Sequence, residues 1–155
     1  MSVRAIPEGY HSITPYLIIR GAAEAIEFYK KAFGATERMR FPMPGSDKLG
    51  HAEIQIGDSI VMLADEMPEM NIRGPQSLGG SSVSLLIYVE DVDKQFEIAL
   101  AAGAKQVRPL ADQFYGDRSG VVEDPYGHVW SLATHVEDIP EGEIQRRMKE
   151  WKPGE

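Results

Sequence analysis

Apolar and polar residues follow two periods along this chain, and the changes from one to the other mark its elements. From Gly50 to Ile56 the alternation is strict: His51, Glu53 and Gln55 fall on one side, Ala52, Ile54 and Ile56 on the other. That is the period of a half-buried strand. Ser12–Ile19 (SITPYLII), Thr36–Phe41 and Ser59–Ala64 also predict strands, the second ending at Pro42 and the last entered through a Gly57-Asp58 turn. Between the first two, Gly21–Phe33 places Ala22, Ala25, Ile26, Tyr29 and Phe33 at helical spacing, with Gly34 as a C-terminal cap. Asp65–Ser82, rich in Met, Pro, Gly and Ser, predicts a linker or mobile loop.

The same order then returns. Val83–Val89 predicts a strand, and Asp91–Ala102 a helix capped by Asp91 and closed by Gly103. Lys105–Leu110 predicts a strand. Gly116–Glu123 and His128–Thr134 predict a hairpin around the turn Asp124-Pro125-Tyr126-Gly127. Glu141–Trp151 follows as a charged amphipathic helix. FYKKAFGA in the first half answers EIALAAGA in the second, 69 residues on at Gly34 and Gly103. An internal duplication of this period predicts two like modules. Each is a curved sheet with a helix on its convex face and a polar concave face.

Composition narrows the function classes. The 155 residues carry a net charge of −8, against the basic surface that nucleic acids and anionic membranes require. There is no cysteine, which excludes disulfides, zinc-finger and iron–sulfur sites and thiol catalysis. With no apolar run near the N-terminus and none of membrane-spanning length, a cytoplasmic protein is expected.

The doubled βαβββ order, AAEAIEFYKKAFGA, and GDRSGVVEDPYGHVWSLATHVED together resemble the vicinal oxygen chelate superfamily. Within it they are most similar to PhnB-like proteins of the glyoxalase/bleomycin-resistance type. The resemblance covers about residues 13–138. It implies an α+β fold of two tandem βαβββ modules, with curved mixed sheets around a central cavity and helices outside. The expected domain is 10–138, with halves 10–65 and 82–138, and 139–155 is an appended helix. In metal-dependent members the ligands are His, Gln or Glu on the first and last strands of each half. The matching positions here are Thr14, Met62, Ser84 and Ser131. None suits a divalent metal, so the resemblance implies no metal and no cofactor.

Strand parity groups the remaining candidates. Tyr16 shares the parity of Thr14, and Leu86 and Tyr88 that of Ser84, so the two tyrosines are expected to line the cavity with Met62. Val129, Ala133 and His135 share the face of Ser131, while Trp130 points to the helix layer. His128 and His135, an odd spacing apart, cannot share a metal from one strand. His51, Glu53 and Gln55 are ligand contacts, polar residues of a half-solvated strand, or replacement metal ligands. Arg118 either binds a ligand carboxylate or phosphate at the cavity mouth or pairs with Glu123, Asp117 or Glu53.

The candidate ligand-binding set is therefore Tyr16, His51, Glu53, Gln55, Met62, Tyr88 and Arg118. It predicts a metal-free small-molecule binder of the drug-sequestering kind, in which Glu53 and Tyr88 could favour a cationic ligand. The alternatives are a metal-dependent lyase, isomerase or dioxygenase using His51 and Glu53 with His135, and an interaction module docking through Arg146–Lys149. The stripe Ile144, Met148 and Trp151 on the last helix predicts a homodimer, unless it packs on its own chain.

Overall fold

The computed structural model describes residues 2–154. The first module runs β1 (Tyr16–Ile19), α1 (Ala22–Phe33), β2 (Thr36–Pro42), β3 (Leu49–Ile56) and β4 (Ser59–Asp65). The second runs β5 (Ser84–Tyr88), α3 (Val92–Ala102), β6 (Lys105–Asp112), β7 (Asp117–Glu123) and β8 (Val129–His135). A short α2 (Pro75–Leu78) lies between them and α4 (Glu141–Glu150) follows them. The two four-stranded sheets are ordered β1-β4-β3-β2 and β5-β8-β7-β6. In each, the first strand is parallel to the last and the other pairs are antiparallel. This is the expected α+β duplication.

The helices begin and end where the local chemistry requires. Asp65, at the end of β4, accepts from the Gly21 and Ala22 amides with one carboxylate oxygen and from the Leu49 amide with the other. Thr134 takes the same place in the second module. Its hydroxyl accepts from the Val92 amide and donates to the Val89 carbonyl. Asp91 caps α3 by accepting from the Lys94 amide. The last strand of each module thus supplies the side chain that starts its own helix.

One core serves both halves. α1 buries Ala22, Ala25, Ile26, Phe28, Tyr29, Ala32 and Phe33, and α3 buries Val92, Phe96 and Ala99. The two helices pack on each other as well as on their sheets. Trp130 enters this layer, with its ring 4.8 Å from Phe33 and 5.4 Å from Tyr29, and is 1% exposed. Gly120 permits the close approach of Phe96, whose ring would lie 2.6 Å from an added Cβ.

Three expectations shift. The first strand begins at Tyr16 rather than Ser12, because Pro15 offers its carbonyl to the Met62 amide but has no N–H of its own. β6 continues to Asp112 despite Pro109. It lies at the sheet edge, with register shifts on both sides of Arg108. The linker is not featureless: it contains a 3-10 turn at Pro68–Met70 and α2. Gly74 lies so close to β1 that an added Cβ would be 2.6 Å from the Ile18 carbonyl.

α4 is anchored by Arg147, which donates to the Phe114 carbonyl and to Glu143, while Trp151 packs on Phe114. Part of its apolar stripe therefore meets its own chain; Met148 and Trp151 stay about half exposed. Among the described residues no helix is long and apolar enough to cross a membrane.

Candidate ligand site

The sheet faces turned away from α1 and α3 hold the polar clusters. In the first module, register sets Glu53 beside Met62 on β4 and Met39 on β2, with Tyr16 beyond Met62. His51 is opposite Phe41. These alternate positions share one face, and their side chains close into a hydrogen-bonded row. Tyr10 donates to one oxygen of Glu53. His51 Nε2 lies 2.7 Å from the other, and His51 Nδ1 lies 2.8 Å from the Tyr16 hydroxyl.

Glu53 is 4% exposed. Burial pushes its carboxyl pKa up, but hydrogen bonds from His51 and Tyr10 outweigh this and leave it below the ordinary range. As an ionised acceptor, Glu53 assigns the proton to His51 Nε2. Nδ1 then accepts from Tyr16. Burial, with the Glu53 charge, raises the Tyr16 pKa, so this phenol stays protonated. Phe41 stacks along His51 at 6.4 Å, 18° from parallel.

A second cluster occupies the corresponding face of the other module. Buried Asp117 accepts from the Tyr88 hydroxyl at 2.8 Å and pairs with His135 Nδ1 at 2.8 Å. The other His135 nitrogen meets Asp138 at 2.7 Å. The Asp117 and Asp138 bonds raise the His135 pKa. In both modules a carboxylate bridges a tyrosine and a histidine. The second nitrogen of that histidine meets a phenol in the first module and a second carboxylate in the other.

The structure brings Tyr16, His51, Glu53 and Met62 together, and places Tyr88 in the second cluster. Gln55 shares their face but turns to the hairpin end, donating to the Gly57 carbonyl and accepting from Arg38. Arg118 lies apart. Alternation puts it on the α3 side of β7, where it forks onto Asp93 and reaches Asp112, not Glu123, Asp117 or Glu53. Tyr10 and Phe41 belong to the row but were missed. Phe41 required the β2–β3 register, and Tyr10 comes from a segment without periodicity. Asp117 was missed as well, because its place opposite His135 comes from the β7–β8 register. His128 donates from Nε2 to the Ile18 carbonyl, which ties the DPYG turn to β1.

Space between the halves follows the seam where β1 approaches β5. One cleft of about 240 Å³ touches Thr14, Ile60, Leu86 and Trp130. A second, of about 510 Å³, touches Tyr16, Leu78, Val83 and His128.

The metal-ligand positions of the resembling family hold two hydroxyls on β5 and β8, a thioether on β4 and Thr14 before β1. His51 and Glu53 are committed to each other and to tyrosines. Among the described residues no three His, Asp or Glu side chains are grouped to hold a metal ion. These residues do not fit the metal of the metal-dependent members.

Residues 10–132 match the model of the Glyoxalase/Bleomycin resistance protein/Dioxygenase superfamily. The chain belongs to this superfamily. It is 45% identical over 146 residues to the uncharacterized protein Mb0911c of Mycobacterium bovis, covering 92% of this chain and 95% of that one. It is equally similar to Rv0887c of Mycobacterium tuberculosis H37Rv, covering 85% of that protein. Among solved structures, PA1353 from Pseudomonas aeruginosa superposes with a TM-score of 0.67 at 26% identity, over 82% of this chain and 99% of that one. TioX from Micromonospora sp. ML1 gives 0.61 at 26% identity, over 84% and 100%. A PhnB protein from Bacillus cereus, at 21% identity and 0.62, shares the fold.

Proposed function

We propose that this superfamily member binds a small organic molecule without a catalytic metal. The observation that carries the reading is the row Tyr10–Glu53–His51–Tyr16: the strongest metal-binding side chains on this face are consumed in a closed hydrogen-bond network. That network presents a protonated phenol beside Met62, with Phe41 stacked along His51, an amphipathic wall suited to ligands of mixed polarity. The Tyr88–Asp117–His135 cluster supplies polar contacts from the other module. We place the protein with the PhnB-like branch, acting in the cytoplasm as a homodimer and apart from nucleic acids and membranes.

The test joins elemental analysis of the purified protein to native mass spectrometry, on the parent and on His51→Ala and Glu53→Ala. The expected result is substoichiometric metal and a co-purified organic mass that the variants lose. Near-stoichiometric zinc, nickel, manganese or iron that disappears in the variants would establish the metal-dependent lyase, isomerase or dioxygenase reading instead.

A further inference from the structure

The larger seam cleft differs in charge from the rest of the molecule. The chain carries 24 Asp and Glu residues, yet none lines this cleft. Its one fully charged lining residue is Arg73, on the segment between the modules. Arg20, Arg40, Arg118, Arg146 and Arg147 are all paired with carboxylates; among the described residues Arg4, Arg38, Arg73 and Arg108 have no such partner, and of these four Arg73 lines the cleft. In an acidic protein an arginine left unpaired beside a concave surface is a fork of donors matched to a carboxylate.

The walls supply the other half of a ligand's chemistry. Ile13, Leu78 and Val83 converge on the cleft, and all three are among the large apolar side chains that the chain leaves exposed, at 87%, 65% and 66%. Tyr16 borders the same space while its hydroxyl is held by His51. The segment bearing Arg73 is fixed before it by the Met67–Ile72 backbone pair and after it by two further bonds. Gly74 donates to Glu66, and Gln76 donates to the Pro125 carbonyl of the second module. The backbone that carries Arg73 is thus held by both halves beside the apolar wall.

We propose that the seam cleft is a binding subsite for a small monocarboxylate with an apolar or aromatic body. Arg73 grips the carboxylate, and Leu78, Val83 and Leu85 cover the body. This rests on the reading of the chain as a small-molecule binder and specifies the ligand class. A cleft of about 510 Å³ accepts a two-ring acid with room for water. Charge complementarity selects such an acid over a second copy of the chain, whose net charge of −8 would add carboxylates without a two-ring apolar body.

The test is isothermal calorimetry with 2-naphthoate and its neutral isostere 2-naphthamide. Saturable one-to-one binding of 2-naphthoate is expected, weakened at least about tenfold by Arg73→Gln and partly restored by Arg73→Lys. The amide should bind weakly and be indifferent to both substitutions. No saturable binding of 2-naphthoate by the parent overturns the proposal, as does binding that Arg73→Gln leaves unchanged. Sedimentation of Leu78→Asp adds an independent arm. If that variant splits a dimer while naphthoate binding ignores Arg73, a second copy covers the cleft and the subsite is refuted. Each of these failures leaves the metal-free reading to stand on metal content and the co-purified mass.

Discussion

Asp124→Asn is an almost isosteric change with a large expected cost. Asp124 is 3% exposed and accepts four hydrogen bonds. One oxygen takes the Tyr29 hydroxyl at 2.6 Å and Trp130 Nε1 at 2.9 Å; the other takes the Tyr126 amide at 2.9 Å and the His128 amide at 3.0 Å. All four groups are donors. An asparagine oxygen serves one pair, and its NH₂ confronts the other pair with donors. Two donors, buried or nearly so, then lose their acceptor at about 1–3 kcal/mol each, and partial relaxation leaves a net loss of about 3 kcal/mol. A whole domain is stable by only about 5–15 kcal/mol. Tyr29 belongs to α1 and Trp130 to β8, so the loss falls on the joint between the modules.

Urea unfolding followed by tryptophan fluorescence reads this directly. With a slope of about 2 kcal/mol per molar, the midpoint should fall by about 1.5 M. The melting temperature should fall by about 6–12 °C. Tyr29→Phe, which removes one donor and leaves the carboxylate satisfied, should cost only about 1–2 kcal/mol. In the double variant the costs should couple by about 1 kcal/mol or more, since both residues share one bond. An Asp124→Asn midpoint within about 0.3 M of the parent, at unchanged slope, would refute the reasoning.

Two other perturbations test separate joints. Gly116 sits at φ 103°, and an added Cβ would lie 2.2 Å from the Glu137 carbonyl oxygen. Gly116→Ala should therefore cost about 2 kcal/mol or more, read as a lowered urea midpoint, by forcing apart the crossing that leads to α4. His135 has a raised pKa in the folded state, so it contributes stability fully present below its unfolded value of about 6.5. That contribution is lost as pH rises through the raised folded value. Urea midpoints across this window should fall more with rising pH in the parent than in His135→Ala, and parallel profiles would exclude the linkage.

Much of the fold was legible because it rests on local rules. The period-two alternation of Gly50–Ile56, the helical spacing of Ala22 to Phe33 and the Asp91 cap each act within one element, and the duplication shows in the order of elements alone. Parity also carried part of the candidate site, placing Tyr16, His51, Glu53 and Met62 on one face, and put Trp130 in the helix layer, where it is buried. Parity also sets Asp117 and Arg118 on opposite faces of their strand, but which of them joins His135 was fixed by the β7–β8 register.

Contacts between distant segments were decided by the tertiary structure. Tyr10 reaches Glu53 across 43 positions, Tyr29 reaches Asp124 across 95, and Arg73 comes to the cleft beside His128 through the path of the intermodule segment. Sequence by itself determined which face each strand residue presents, because backbone geometry alternates side chains without reference to anything else. Which polar groups then meet depended on strand register and on how two modules dock around a shared core. Those are set by the packing of α1 against α3 and by burial of groups such as Asp124, whose hydrogen-bond partners exist only once the chain has folded.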